Sequence, residues 1–373
     1  MHSILHALDI AGMMTWDILW SLLLGFLISA VIQSVVRKRT IAKLLGDNRP
    51  RTLVTATLLG IASSSCSYAA VAISRTLFRK GASFLAAMVF EIASTNLVVE
   101  LGVITAILLG WQFTFAEFLG GPIMIIAVTV FFRIFLRQKI LIAARLQAEA
   151  GVSGSMEGHA AMDMSIKAGG SLRRRLNSEE GLTSVSHIFI MELAAVWKDI
   201  VGGLLLAGAV AAWMPERIFK ILFFAGHPAA SRILGPVIGP MLAIITFVCS
   251  IGNIPLAATL WNDGISFGGV VSFIFADLII IPILLIYRKY YGTAMTLFIL
   301  IGFYVSMVIA GWLSEFIFSV LHLVPKNHHP LVTSSHVTLN YTTVLNAVFI
   351  LAAGFLAYRF VRSGALPMLK QMD

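Results

Sequence analysis

Apolar residues run along this chain in long blocks, separated by short polar, basic or glycine-containing breaks. Seven blocks are unbroken: 15–36, 83–109, 112–136, 190–213, 266–287, 294–320 and 341–361. Each is long enough to cross a bilayer core as a helix, which takes about 20 apolar residues. Two further blocks, 52–78 and 233–261, are interrupted near their middles. The first break reads Ser63-Ser64-Ser65-Cys66-Ser67, the second Cys249-Ser250-Ile251-Gly252-Asn253-Ile254-Pro255. Gly252, Asn253 and Pro255 are expected to unwind the helix there, with Gly252 and Pro255 as hinge. In a membrane, unwound backbone is tolerated only where it faces protein or a wet cavity. Block 15–36 is too long for a cleavable signal and ends in Arg37-Lys38-Arg39, so it reads as a first span.

Composition agrees with hydrocarbon as the main solvent. The chain has 373 residues, 58% hydrophobic and 12% charged, against about 25% charged in soluble domains. The net charge of +9 comes from basic residues at the ends of spans, which is the positive-inside bias rather than a nucleic-acid surface. Two cysteines, Cys66 and Cys249, are too few for a disulfide framework. A polar connector, Arg137 to Ser186, carries Gly151 to Ser155, Gly169-Gly170 and Arg173-Arg174-Arg175, and its basic character places it in the cytoplasm. The segment 321–340 holds His322, His328, His329 and His336 and is expected outside, with a spacing that matches no defined metal site.

The chain also resembles itself. Shifted by 183 positions, Cys66-Ser67 falls on Cys249-Ser250, and Thr76-Leu77 on Thr259-Leu260. Gly81, Ser83 and Phe84 fall on Gly264, Ser266 and Phe267, and Phe90 and Ala93 on Phe273 and Ala276. Charge gives the orientation. Arg37 to Arg39 and the Arg133, Arg137, Lys139 group both mark cytoplasmic ends, so an even number of crossings separates them. Block 52–78 is then expected to enter and return as a re-entrant hairpin, and its counterpart 233–261 to enter from the other side. The expected fold is an all-α polytopic membrane protein, an inverted-topology repeat with broken, re-entrant helices and about eight or nine transmembrane elements. Its divisions are a first membrane repeat over 1–136, a cytoplasmic linker over 137–186 and a second repeat over 187–320. An extracytoplasmic loop and a last span fill 321–373, with the N-terminus outside and the C-terminus, past Arg359 and Arg362, in the cytoplasm.

That plan belongs to secondary transporters, whose broken helices build a substrate site near the midplane. The two hairpin tips are expected to bring Ser65, Cys66, Ser67, Cys249, Ser250 and Asn253 into one substrate-binding place. A lone buried cysteine is usually a small hydrophobe, but two at equivalent repeat positions can meet, and thiolates favour soft partners. Acidic residues inside apolar blocks are the second signal. Glu91, Glu100 and Asp277 would cost a few kcal/mol each to bury and are functional candidates by default. Glu91 and Asp277 are the expected proton-coupling pair; a structural bond to Ser94, Thr95 or Asn96 would equally account for them. Glu117 and Glu315 read as interfacial, and Glu192, Lys198 and Asp199 as a boundary cluster.

Three stretches resemble a known family. They are Ser64-Ser65-Cys66-Ser67-Tyr68, Phe90-Glu91-Ile92-Ala93-Ser94-Thr95-Asn96-Leu97-Val98, and Cys249-Ser250-Ile251-Gly252-Asn253-Ile254-Pro255-Leu256-Ala257-Ala258. They are similar to the predicted permeases that include the organoarsenical efflux permeases of the ArsP type. The resemblance spans both halves and implies a bacterial or archaeal inner-membrane permease. It further implies export of a trivalent organoarsenical and a role in arsenic resistance. Ser64 stands where members often carry an additional cysteine.

Other readings are a membrane-embedded dithiol redox protein or enzyme, and an uncoupled channel. An enzyme would need a base or a depressed thiol pKa, and neither hairpin offers a His or Lys beside its cysteine. There is no Gly-x-x-x-x-Gly-Lys-Ser/Thr run for a nucleotide. No cofactor and no resident metal are expected. The expected partners are a small-molecule substrate and the lipid bilayer, with a homo-oligomer compatible and nucleic acid excluded.

Overall fold

The computed structural model describes residues 2–35, 38–63, 65, 67–150, 178–213, 228–246, 250–262, 264–325 and 341–365. Every regular element among them is helical. The first half contains α1 (His2–Val35), α2 (Lys38–Leu45), α3 (Pro50–Ser63), α4 (Ser67–Arg79), α5 (Phe84–Asn96), α6 (Val99–Leu108), α7 (Trp111–Phe135) and α8 (Gln138–Ala150). The second contains α9 (Glu179–Trp213), α10 (Pro228–Thr246), α11 (Ser250–Asn262), α12 (Phe267–Ile274), a 3-10 turn (Phe275–Leu278), α13 (Ile281–Tyr291), α14 (Thr293–Val320) and α15 (Tyr341–Arg362).

Local chemistry fixes these boundaries, and it does so twice. After α4 the chain reverses through Gly81 at φ +103°, with Ala82 N–H bonding Leu77 C=O at 3.0 Å and Gly81 N–H bonding Phe78 C=O at 3.1 Å. This is the Schellman turn, in which a left-handed glycine ends a helix. Ser83 then caps α5, its hydroxyl accepting Ala86 N–H at 3.1 Å. The same turn follows α11: Gly264 at φ +94°, Ile265 N–H to Leu260 C=O at 3.2 Å, Gly264 N–H to Trp261 C=O at 3.2 Å. Ser266 caps α12 by accepting Gly269 N–H at 3.2 Å. Left-handed Gly110 and Gly292 precede α7 and α14. The offset of 183 that aligned the sequence therefore also relates the limits of α4 and α11, Ser67–Arg79 and Ser250–Asn262.

Among the described residues, α7, α14 and α15 are long and apolar enough to cross a membrane, making three spans. The count is five if the bent pairs α5–α6 and α12–α13 are each one span, the bends being 41° and 42°. The blocks expected as straight spans at 83–109 and 266–287 are thus bent pairs, and the expected span 15–36 belongs to a helix that begins at His2. α3 packs on α5, α10 on α12, α7 on α14, and α1 on α9 and α4. Glycine sets the closest approaches: a Cβ on Gly60 of α3 would lie 2.5 Å from Phe90 C=O, and one on Gly239 of α10 would lie 2.5 Å from Gly269 C=O.

The second break is narrower than its sequence suggests. α11 is already helical from Ser250 and runs through Gly252, Asn253 and Pro255. Pro255 is the sixth residue of α11, past the turn whose N–H groups are unpaired anyway, so it withholds one bond, the one to Ile251 C=O, while the helix continues to Asn262. The connector also begins as structure. Arg145 of α8 donates to Ala82 C=O at 3.2 Å, and Gln147 Nε2 donates to the carbonyls of Arg288 and Lys289, both at 3.1 Å. The glycine runs and the arginine triplet between 151 and 177 lie outside the described residues, as do His328, His329 and His336.

Candidate functional site

Helix α4 starts immediately after the first break and α11 immediately after the second, and their first residues meet. Ser67 Oγ and Ser250 Oγ lie 3.1 Å apart. Both also donate to one carboxylate oxygen, Asp277 Oδ2, at 2.7 Å from Ser67 and 2.5 Å from Ser250. Asp277 is wholly buried, as is Ser67, and Ser250 is 6% exposed. Asp277 sits in the 3-10 turn that ends the α12 segment, whereas α5 at the equivalent place stays helical through Ser94. Hydrogen bonds to an ionised group are short and about twice as strong as neutral ones, so the serines are suited to hold a charge at Asp277. Its second oxygen, Oδ1, has no hydrogen-bond partner among the described residues.

Ser65, between the first break's undescribed neighbours, is also drawn in. Its N–H donates to Ser94 C=O at 3.0 Å and its hydroxyl pairs with Ser63 at 2.6 Å. Asn253 follows Ser250 by one helical turn and thus shares its face of α11. It is fully buried, and neither end of its amide has a partner among the described residues. Cys66 and Cys249 themselves lie outside the described residues, as do the side chains of Gly252, Pro255, Glu100, Glu192, Lys198 and Asp199.

Glu91 is buried on α5 and is not tied to the serine pair. Its Oε1 accepts the hydroxyl of Tyr287 on α13, and Asp277 acts on it electrostatically through the interior. Asn96 donates to Ile92 C=O at 3.4 Å and to Thr95 Oγ1 at 2.9 Å. The two glutamates expected at the interface are both covered by neighbouring helices. Glu117 is 1% exposed on α7, beside Thr105 and in the field of Asp277, with neither carboxylate oxygen in a closed hydrogen bond among the described residues. Glu315 is 7% exposed, accepts Gly268 N–H at 2.6 Å, and faces Arg232 at 3.7 Å. That cover is not legible in sequence, because distance from a span's end says nothing about which helices pack over it. Tyr287 was missed because a tyrosine just before Arg288-Lys289 reads as an interfacial anchor.

Helices that start after breaks and meet at a buried carboxylate are an arrangement that secondary transporters use around their sites. The chain belongs to a predicted permease family of the ArsP type, whose model matches residues 3–316. It is 60% identical over 338 residues to a protein of Mycobacterium tuberculosis named "Putative permease Rv2963", covering 91% of this chain and 83% of that one. No solved structure matches it.

Proposed function

We propose that the protein is an inner-membrane secondary permease built from two inverted repeats, 1–136 and 187–320. It exports a small, soft, thiol-reactive solute, of which a trivalent organoarsenical is the type, in exchange for protons. The observation that carries this reading is the meeting of Ser67 and Ser250 on Asp277. Residues at equivalent places in the two halves serve one carboxylate, as expected where two repeats enclose a site between them.

Cys66 and Cys249 each directly precede one of those serines in sequence. A monosubstituted arsenic(III) has two exchangeable positions, and two thiolates are the soft ligands that would fill them. Ser65, Ser67, Ser250 and Asn253 complete the substrate site, and Asn253 brings an amide with no other partner among the described residues. Asp277 and Glu91 carry the exchanged proton. Gly252 and Pro255, near the start of α11, supply the hinge on which the second hairpin rocks.

The test is methylarsenite accumulation in an arsenic-sensitive bacterium expressing wild type, Cys66→Ser or Cys249→Ser. Wild type lowers accumulation, and either substitution abolishes the effect. Equal accumulation with wild type and empty vector, with the protein confirmed in the membrane, would exclude the organoarsenical and leave a permease for another solute.

A further inference from the structure

Away from the serine pair, three helices bring together buried polar atoms that no described residue satisfies. They are Glu91 Oε2 on α5, Ser74 Oγ on α4 and Tyr291 Oη on α13. All three residues are at most 2% exposed. Ser74 lies beside both Glu91 and Tyr291, yet no hydrogen bond of ordinary geometry closes among the three. Buried polar atoms are almost always satisfied. Buried polar groups that lie side by side without a closed bond are ones that water can bridge at little cost.

The arrangement has a direction. Glu91 lies at its inner end, with its other oxygen taken by Tyr287, one helical turn before Tyr291. Tyr291 is the last residue of α13, just beyond Arg288 and Lys289, and Ser74 lies near the α4 end that closes on Arg79 and Lys80. Both helix ends carry the basic residues that mark the cytoplasmic side.

We propose that Ser74 and Tyr291, with bridging water, form a proton path between Glu91 and the cytoplasmic face. This rests on the reading of Glu91 as a proton-coupling carboxylate and gives that proton a route. A proton leaving Glu91 Oε2 passes to a neighbouring water oxygen. Each oxygen along the path accepts one proton on a lone pair and releases another, so Ser74 and Tyr291 stay neutral and only Glu91 changes charge. The charged and titratable groups that act on Glu91 are Asp277 from the 3-10 turn and Tyr287 and Tyr291 from α13; Arg75 from α4, buried with its guanidinium 4.0 Å over the Tyr290 ring, acts on Tyr291. Glu117 of α7 acts on Asp277, and α3 brings no charge, its Arg51 being exposed.

The experiment uses the full-length protein in liposomes, with a pH-sensitive dye inside and methylarsenite as the transported probe. Tyr291→Phe removes only the hydroxyl and keeps the ring against Phe78 and Phe84, whose centroids lie 6.0 and 5.4 Å away. Protons moved per methylarsenite are expected to fall several-fold in Tyr291→Phe and in Ser74→Ala, and to recover in Ser74→Thr, which restores the hydroxyl. An unchanged ratio in both hydroxyl-less variants overturns the path and leaves the proton-coupled permease standing. Loss of methylarsenite movement itself in Ser74→Ala and Ser74→Thr alike marks a packing role and overturns it too. Wild type that moves methylarsenite with no protons removes the exchange reading and the path together.

Discussion

Ser67 and Ser250, 183 residues apart in sequence, place their hydroxyls 3.1 Å from one another and share a single oxygen of Asp277. The pairing makes the two helix starts after the breaks answerable to one charge. Whatever changes that charge acts on α4 and α11 together, the coupling that the proposed rocking of two repeats would need.

The first prediction concerns the energy of that contact. A hydrogen bond to a charged group contributes about 1.5–3 kcal/mol, so Ser67→Ala and Ser250→Ala should each destabilise the protein by an amount in that range. The double replacement should cost more than the sum, because the first loss leaves one donor on Asp277 and the second leaves none. Thermal unfolding in detergent of wild type, both singles and the double reads the difference, with coupling of about 0.5–3 kcal/mol expected for groups in one network. In an Asp277→Asn background the excess should vanish. Strict additivity would mean that the serines do not act on Asp277 jointly.

The second prediction uses the matched caps. Ser83 and Ser266 each accept an N–H from the third residue after them, and loss of such a cap costs about 1 kcal/mol. Ser83→Ala and Ser266→Ala should both lower the midpoint of unfolding, Ser83→Ala by more because its hydroxyl also donates to Asp47 C=O at 3.0 Å, and Ser83→Thr and Ser266→Thr should keep most of it. A large loss at one site and none at the other would show that the two turns, alike in geometry, differ in what they hold.

Those turns explain why the helix boundaries could be read from sequence while the centre could not. Gly-x-Ser-Phe at Gly81 to Phe84 and Gly264 to Phe267 names a left-handed stop and an N-cap, which are local and leave a local signature. Ser67 closes the expected first break, but the second helix starts at Ser250, inside the stretch 249–255 that was expected to unwind. Asp277 was legible as a carboxylate out of place in an apolar run. That it takes both serines, while Glu91 turns instead to Tyr287, depends on how α4, α11, the 3-10 turn and α13 pack, and no short stretch records it. The burial of Glu117 is unreadable for the same reason: it comes from helix–helix packing and not from position along the span.

The third prediction tests the close crossing beside Glu91. A Cβ on Gly60 would meet Phe90 C=O at 2.5 Å and Ala93 Cβ at 2.8 Å, and backbone cannot yield as a flexible side chain would. Gly60→Ala should therefore push α3 off α5 at a cost of about 1–3 kcal/mol and reduce methylarsenite transport. Gly12→Ala, where an added Cβ meets nothing within 4 Å, should leave both unchanged. Normal stability and transport in Gly60→Ala would show that the α3–α5 contact can open without consequence.

The last prediction lies at the α2–α3 junction, outside the spans. Asp47 Oδ1 accepts the hydroxyl of Thr52 and Arg49 N–H, the latter at 3.0 Å, and its carbonyl accepts the Ser83 hydroxyl at 3.0 Å. The Thr52 bond first, and then the Arg49 N–H, hold this carboxyl below its ordinary value of 3.8. A carboxyl lowered on folding adds stability above the unfolded value and loses it as pH falls through the folded one. Asp47→Asn should therefore unfold at a lower temperature than wild type at neutral pH, and the gap should close as pH drops below 3.8. The Ser83 contact uses backbone and survives the substitution, so it does not contribute to the pH dependence. A gap that stays constant across that range would mean that the charge on Asp47 is not what orders the entry to α3.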